Sequence, residues 1–248
     1  MVYIDVKGEV VDSGSEWIYQ WFGIQAVSPK IIQNKLDKAN GDDVTVRINS
    51  GGGSVFAGCE IFNALKSYSG QVTIEILGLC ASIAGVIAMA GDVVKMSPLA
   101  QFMMHNVSCK AQGDYRDMEH TAEVLKKANS TISNAYKMKT GMKDEEVKTL
   151  MNAESWFTAQ ECLDKKLVDE IMYMDNKVDA TMLNMLKNSA ISMCNSISLS
   201  NDLIQKFKNL NPGMAISQQI INDNQADFFI KKKAKAELEL LNLRKKVL

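Results

Sequence analysis

The sequence is short of several things that would place it quickly. Its five cysteines (Cys59, Cys80, Cys109, Cys162 and Cys194) are odd in number and scattered. None lies two residues from another, so neither a zinc motif, a redox motif nor a disulfide framework is indicated, and reduced, mostly buried thiols are expected. Charge of one sign is also lacking: 28 basic residues face 29 acidic ones, a net charge of −1. A nucleic-acid binder usually carries a basic excess, and none is visible. The opening Met1-Val2-Tyr3-Ile4-Asp5-Val6 has no basic or apolar signal region. The longest apolar run, residues 77–91, spans 15 residues and includes Ser82. A bilayer needs about 20, so no membrane span is expected. Histidine is scarce too, with only His105 and His120.

What is present is a core. Hydrophobic residues make up 46% of the 248, ample for an ordinary domain with something to spare. The first three-quarters alternates strand-like and helix-like stretches. Val2 to Val11 reads as a strand, and Ser28-Pro29 supplies an N-cap and a first-turn proline for a helix through Ala39. Val44 to Ile48 reads as a strand running into the turn Asn49-Ser50-Gly51-Gly52-Gly53, followed by a helix from Val55 to Tyr68. Val72 to Leu77 reads as a strand and Ser82 to Ala90 as an apolar helix. Val93 to Met96 and Phe102 to Met104 are further short strands. Met118, Thr121, Leu125, Ala128, Ile132 and Ala135 keep helical spacing over a long helix, Asp114 to Thr140, which Gly141 stops. Shorter helices are expected over 144–151 and 158–165. This alternation predicts an α/β domain with strands inside and helices outside.

Composition changes after about Asp175. Residues 176–212 become rich in Asn, Ser, Met and Leu, and 214–248 are helix-forming and end in a Lys/Glu/Leu stretch. Leu238, Leu241 and Arg244-Lys245 fit either an amphipathic helix suited to a partner or a solvated charged tail. The division expected is therefore 1–175 for the main domain and 176–248 for a mostly helical extension without an assigned role.

Three local features bear on chemistry. Ser82, in Gly78-Leu79-Cys80-Ala81-Ser82-Ile83-Ala84-Gly85, is the only hydroxyl of its apolar run, at a strand-to-helix junction. Small neighbours permit close backbone approach, and free N–H groups at the turn suit an oxyanion site. Such a serine is far more often a simple N-cap. His105 closes the strand Phe102-Met103-Met104, where a general base is held rigidly, although a polar residue at a strand end is commonplace. His120 lies among Asp117, Glu119 and Glu123 and reads as a solvated helix face. The glycines of Ser50-Gly51-Gly52-Gly53-Ser54 can present N–H groups to an anion or a peptide carbonyl. They match neither a Walker loop nor a dinucleotide fingerprint, so phosphate binding is not indicated.

Taken together, these segments resemble the Clp-type serine peptidase family. Ile48 to Gly53 is similar to its glycine-rich turn, Gly78 to Ser82 to its nucleophile motif, and Met103 to Asn106 to its histidine motif. Glu154-Ser155-Trp156-Phe157-Thr158-Ala159-Gln160-Glu161, ending in Leu167-Val168-Asp169-Glu170, resembles the block carrying the third catalytic residue. The similarity runs over residues 2–175. Val86 to Asp92, Ala135-Tyr136, Lys139-Thr140-Gly141 and the Glu154 block are more similar still to the phage and prophage branch, the Clp-related head maturation proteases.

The resemblance implies a β-β-α superhelix of the kind shared with crotonases, with residues 114–140 as a protruding handle helix. It implies Ser82 as nucleophile, His105 as general base and Glu154 as third residue, where housekeeping members have Asp; Asp114, Asp117 and Asp169 are fallbacks. The N–H groups of Gly53 and Ile83 would form the oxyanion site, with Gly52 beside them. Gly51 stands where proline is usual, which loosens that turn. No metal or organic cofactor is implied. The expected partners are further copies in a heptamer-like ring, single or stacked, and capsid, scaffold or portal substrates in the bacterial host cytoplasm. With strand one starting at residue 2, the axial-pore segment of housekeeping subunits is not expected. An ATPase-fed housekeeping-like subunit is the alternative, and a non-catalytic ring scaffold a further one.

Overall fold

The computed structural model describes residues 2–173, and the extension expected over 176–248 lies outside them. Fifteen elements follow in order within the described residues. They are β1 (Val2–Val10), α1 (Glu16–Trp21), β2 (Ala26–Val27), α2 (Pro29–Ala39), β3 (Val44–Gly53), α3 (Val55–Lys66), β4 (Val72–Ala81), α4 (Ile83–Ala88), β5 (Val93–Met96), β6 (Gln101–Met104), α5 (Tyr115–Thr140), α6 (Asp144–Asn152), β7 (Ser155–Phe157), α7 (Ala159–Asp164) and β8 (Glu170–Ile171).

The strands join one sheet in the order β2-β1-β3-β4-β5-β8, all parallel, with β6 on the far half of β4 and β7 antiparallel to β6. Alternation decides which face is inside. Ile4, Val6, Val46, Ile48, Ile74, Ile76, Val94 and Met96 are all buried, whereas the opposite face carries the cross-strand row Asp5, Arg47, Glu75, Lys95 and Glu170. That row alternates in charge, which lets a parallel sheet leave one face to solvent. Its pairs, such as Lys95–Glu170 at 2.8 Å, are half-exposed and add little stability.

Helix ends follow their capping residues. Ser28 accepts from the Ile31 amide at the start of α2, and Asn40 closes that helix in the left-handed region. Asp114 and Asp117 form a reciprocal capping box at the start of α5, and Gly141 ends it at φ 74°. Only the C-terminal part of α5 is buried, through Ile132, Ser133, Ala135, Tyr136 and Thr140. The preceding turns stand off the core, as a handle helix should.

Two elements are longer than their composition predicts, and both lead to the site. β3 carries on through the glycines to Gly53, and β4 through Gly78 to Ala81. Ile48 pairs with Ile76 but Ser50 with Cys80, so β4 holds two extra residues at this point. Asn49 spans the irregularity, its Oδ1 accepting from the Leu79 amide at 2.9 Å. The first half of β4 pairs with β5 and the second with β6. The shift therefore brings the end of β4 beside β6, the strand immediately before His105.

Candidate active site

Ser82 sits between β4 and α4 with φ 57° and ψ −128°. This conformation costs a non-glycine residue about 1–3 kcal/mol and persists only where surroundings over-determine it. Here they do. The Ser82 amide donates to Met103 O at 2.9 Å, and its carbonyl accepts from the Gly85 amide at 3.0 Å. The Ser82 side chain makes no capping bond to α4. The N-cap role that serine would ordinarily play at such a junction is not the one observed, and its hydroxyl is left for another partner.

That partner is His105. Its Nε2 lies 2.8 Å from Ser82 Oγ. With its proton on Nδ1, the imidazole accepts the serine proton, which is the arrangement a general base needs. The loop after His105 is pinned twice: the Val107 amide donates to Asn129 Oδ1 at 2.7 Å, and Asn106 Nδ2 donates to Asn152 Oδ1 at 2.9 Å. Ser82 and His105 are both half-buried and open into a cleft of about 100 Å³. Gly53, Val55, Ile83, Val107, Ser108 and Ile132 line the rest of it.

The glycines are required by space. Gly52 has φ 99°, and a Cβ there would fall 2.7 Å from Ser82 Cβ and 2.9 Å from Ala81 O. Gly53 has φ 143°, and a Cβ there would fall 2.2 Å from Val10 O. Ile83 is the first residue of α4, so its N–H has no acceptor one turn back within the helix. Gly53 and Ile83 line the same cleft as Ser82.

The third expected residue is not brought onto the histidine. Glu154 is exposed, and its carboxylate makes no hydrogen bond to His105. No described residue accepts from His105 Nδ1. The cause is local: Glu154 turns into the left-handed region at φ 47° as its amide closes the end of α6 on Met151 O. The β6–β7 ladder pairs Met103 with Trp156 and Met104 with Ser155 and stops there, one residue before His105 on one strand and Glu154 on the other. The fallback carboxylates are engaged elsewhere. Asp114 and Asp117 cap α5, and Asp169 holds the Val94 amide at 2.7 Å and Lys139 Nζ at 2.6 Å. His120 is exposed on α5, away from burial of any kind.

Around the pair, burial keeps other nucleophiles quiet. Desolvation pushes the thiols of Cys80 and Cys162 well above their ordinary range, and the same effect raises the Tyr136 phenol. Among the described residues, no three His, Cys, Asp or Glu side chains gather as a metal site would require. Nor is any described helix long and apolar enough to cross a membrane.

A family model described as Clp protease matches residues 25–175. The ATP-dependent Clp protease proteolytic subunit of Bacteroides fragilis is 32% identical over 134 residues, covering 53% of this chain and 65% of that protein. The same-named subunit of Porphyromonas gingivalis is 29% identical over 145 residues, 57% of this chain and 65% of that one. The ATP-dependent Clp protease proteolytic subunit 2 of Bifidobacterium longum is 32% identical over 132 residues, 52% of this chain and 64% of that one. The chain thus spans just under two thirds of the length of these curated relatives. With the match to the family model covering more than half of its residues, the chain belongs to the Clp protease family.

Proposed function

We propose that the chain is a serine endopeptidase of the Clp type. One observation carries the reading: Ser82 Oγ, released from capping by a strained backbone, lies 2.8 Å from His105 Nε2. In this reading His105 takes the hydroxyl proton as Oγ attacks a peptide carbonyl, then gives it to the leaving amine. Water, deprotonated by the same histidine, releases the acyl group. The N–H groups of Gly53 and Ile83 receive the oxyanion. In this reading Glu154, which the resemblance implies as the third residue, is the orienting carboxylate that would accept from His105 Nδ1 and fix the tautomer. Val55, Ile83, Val107 and Ile132 line the cleft, which favours a modest apolar side chain next to the scissile bond.

Hydrolysis of short fluorogenic peptides tests this. Cleavage after Leu or Met, faster than after Asp or Lys and abolished by Ser82→Ala, is expected. Undiminished hydrolysis by Ser82→Ala would overturn the assignment. Glu154→Gln should lower kcat by roughly tenfold or more with KM little changed, because the lost contact orients the base rather than the substrate. A change under twofold would leave Ser82 and His105 as a dyad.

For the biological setting, the reading offered is processing of phage capsid, scaffold or portal proteins by a homo-oligomeric ring in the host cytoplasm. The stretches at 86–92, 135–141 and 154–159 support it. The relatives named as ATP-dependent Clp protease proteolytic subunits support a second reading, in which an ATPase feeds the ring. Discrete cleavage of a co-expressed head protein without ATP favours the first. Processive degradation that needs ATP and an unfoldase favours the second.

A further inference from the structure

Helix α5 touches the main chain on both sides of the Ser82–His105 pair. Asn129 accepts from the amide of Val107, two residues beyond His105, at 2.7 Å. Tyr136 Oη lies 3.5 Å from the carbonyl oxygen of Ser82 itself, at the long limit of a hydrogen bond. The two residues are seven apart, two turns along one face of the helix. Ile132 lies between them on that face and lines the cleft.

Tyr136 is built into the site rather than merely near it. It is among the largest fully buried side chains, and a buried phenol needs a partner for its hydroxyl. Its ring meets Phe102 of β6 edge-on, at 6.4 Å and 76°. The space it uses exists because Gly85 has no side chain: a Cβ there would lie 2.9 Å from both Tyr136 Oη and Phe102 Cζ. One phenol thus bears on the strand leading to the histidine and on the carbonyl of the serine. The Ser82 amide is tied to Met103, so the path from the serine main chain to His105 is short. Small displacements along it translate directly into the Oγ–Nε2 distance.

We propose that Asn129 and Tyr136 are positioning residues, through which one face of α5 holds the serine turn and the histidine loop at hydrogen-bonding separation. This deepens the peptidase reading and rests on it for its kinetic consequences, but the geometric claim stands apart. Three variants test it: Tyr136→Phe removes only the hydroxyl, Asn129→Leu removes the acceptor at similar volume, and Asn129→Asp keeps an acceptor. In crystals of the first two, the Oγ–Nε2 separation should open beyond 3.5 Å, where the structure has 2.8 Å. Labelling of Ser82 by a fluorophosphonate and kcat on a peptide should fall about 10- to 100-fold, with KM within twofold, as expected for a misplaced nucleophile. Asn129→Asp should restore both to within threefold.

A separation kept at 2.8 Å in both Tyr136→Phe and Asn129→Leu overturns the proposal, whatever the activity. So does a loss of activity that merely follows a falling Tm and is not rescued by Asn129→Asp. A wild-type protein that fails to label, together with variants whose separation opens, would refute the peptidase reading and sustain the positioning role.

Discussion

Replacing Gly52 by alanine puts a methyl group against the nucleophile. The new Cβ would stand 2.7 Å from Ser82 Cβ, 2.9 Å from Ala81 O and 3.2 Å from Ile83 N. Two of the three are backbone atoms, so no rotamer change relieves the contact. Ordinary carbon contacts begin near 3.5 Å, which asks Ser82 to retreat by roughly 0.8 Å. A shift of about 1 Å at a reacting centre costs about 100-fold in rate, or about 2.7 kcal/mol of barrier. The positive φ adds about 1–2 kcal/mol to folding. Gly23→Ala separates the two effects: it too has positive φ, but nothing lies within 4 Å of the added atom. The assay is the second-order rate of fluorophosphonate labelling, beside guanidinium unfolding. Gly52→Ala should lose both rate and stability, and Gly23→Ala stability alone. Labelling of Gly52→Ala within threefold of wild type would refute the claim that this glycine exists to admit the serine.

Gly58→Ala drives a Cβ to 2.1 Å from Ile83 Cγ1 and should cost about 1–3 kcal/mol by overpacking; Ile83→Ala in the same chain should recover most of it in a urea melt. Bonds from Arg116 hold the Asp114 carboxylate below its ordinary range, so its contribution to α5 is present above its unfolded pKa and lost as pH falls through the folded one. Asp114→Asn should therefore flatten the acid side of the Tm-against-pH curve, and an unchanged slope would count against the cap. Of the four described cysteines, exposed Cys109 should alkylate first in native protein, and buried Cys80 and Cys162 only on unfolding, as peptide mass mapping would record.

Much of this arrangement could be read from the chain because local signals agree with it. The cap at Ser28, the long helix closed by Gly141, and the serine and histidine at element ends all carry their own chemistry. The rest depends on tertiary contact. Residues 49–53 read as a turn, since glycine weakens strands, yet β3 continues to Gly53 because Gly52 and Gly53 stay paired with Glu9 and Val10 of β1, whose main chain comes too near Gly53 for any side chain there. β2, β7 and β8 have two or three residues each, too few for a period, and α1 has only six. Glu154 entered by resemblance alone; no spacing marks it, and the β6–β7 ladder stops one residue short of it and of His105. Asn129 carried no signal of its own and Tyr136 only its place in the Ala135-Tyr136 resemblance, because their partners are main-chain atoms distant in sequence.

What tests the serine–histidine pair most directly is intact mass after exposure of the folded protein to a fluorophosphonate, beside Ser82→Ala and His105→Ala. One adduct per chain is expected on the wild type and none on either variant. A folded wild type that takes no adduct, or a Ser82→Ala variant that still takes one, would overturn that assignment.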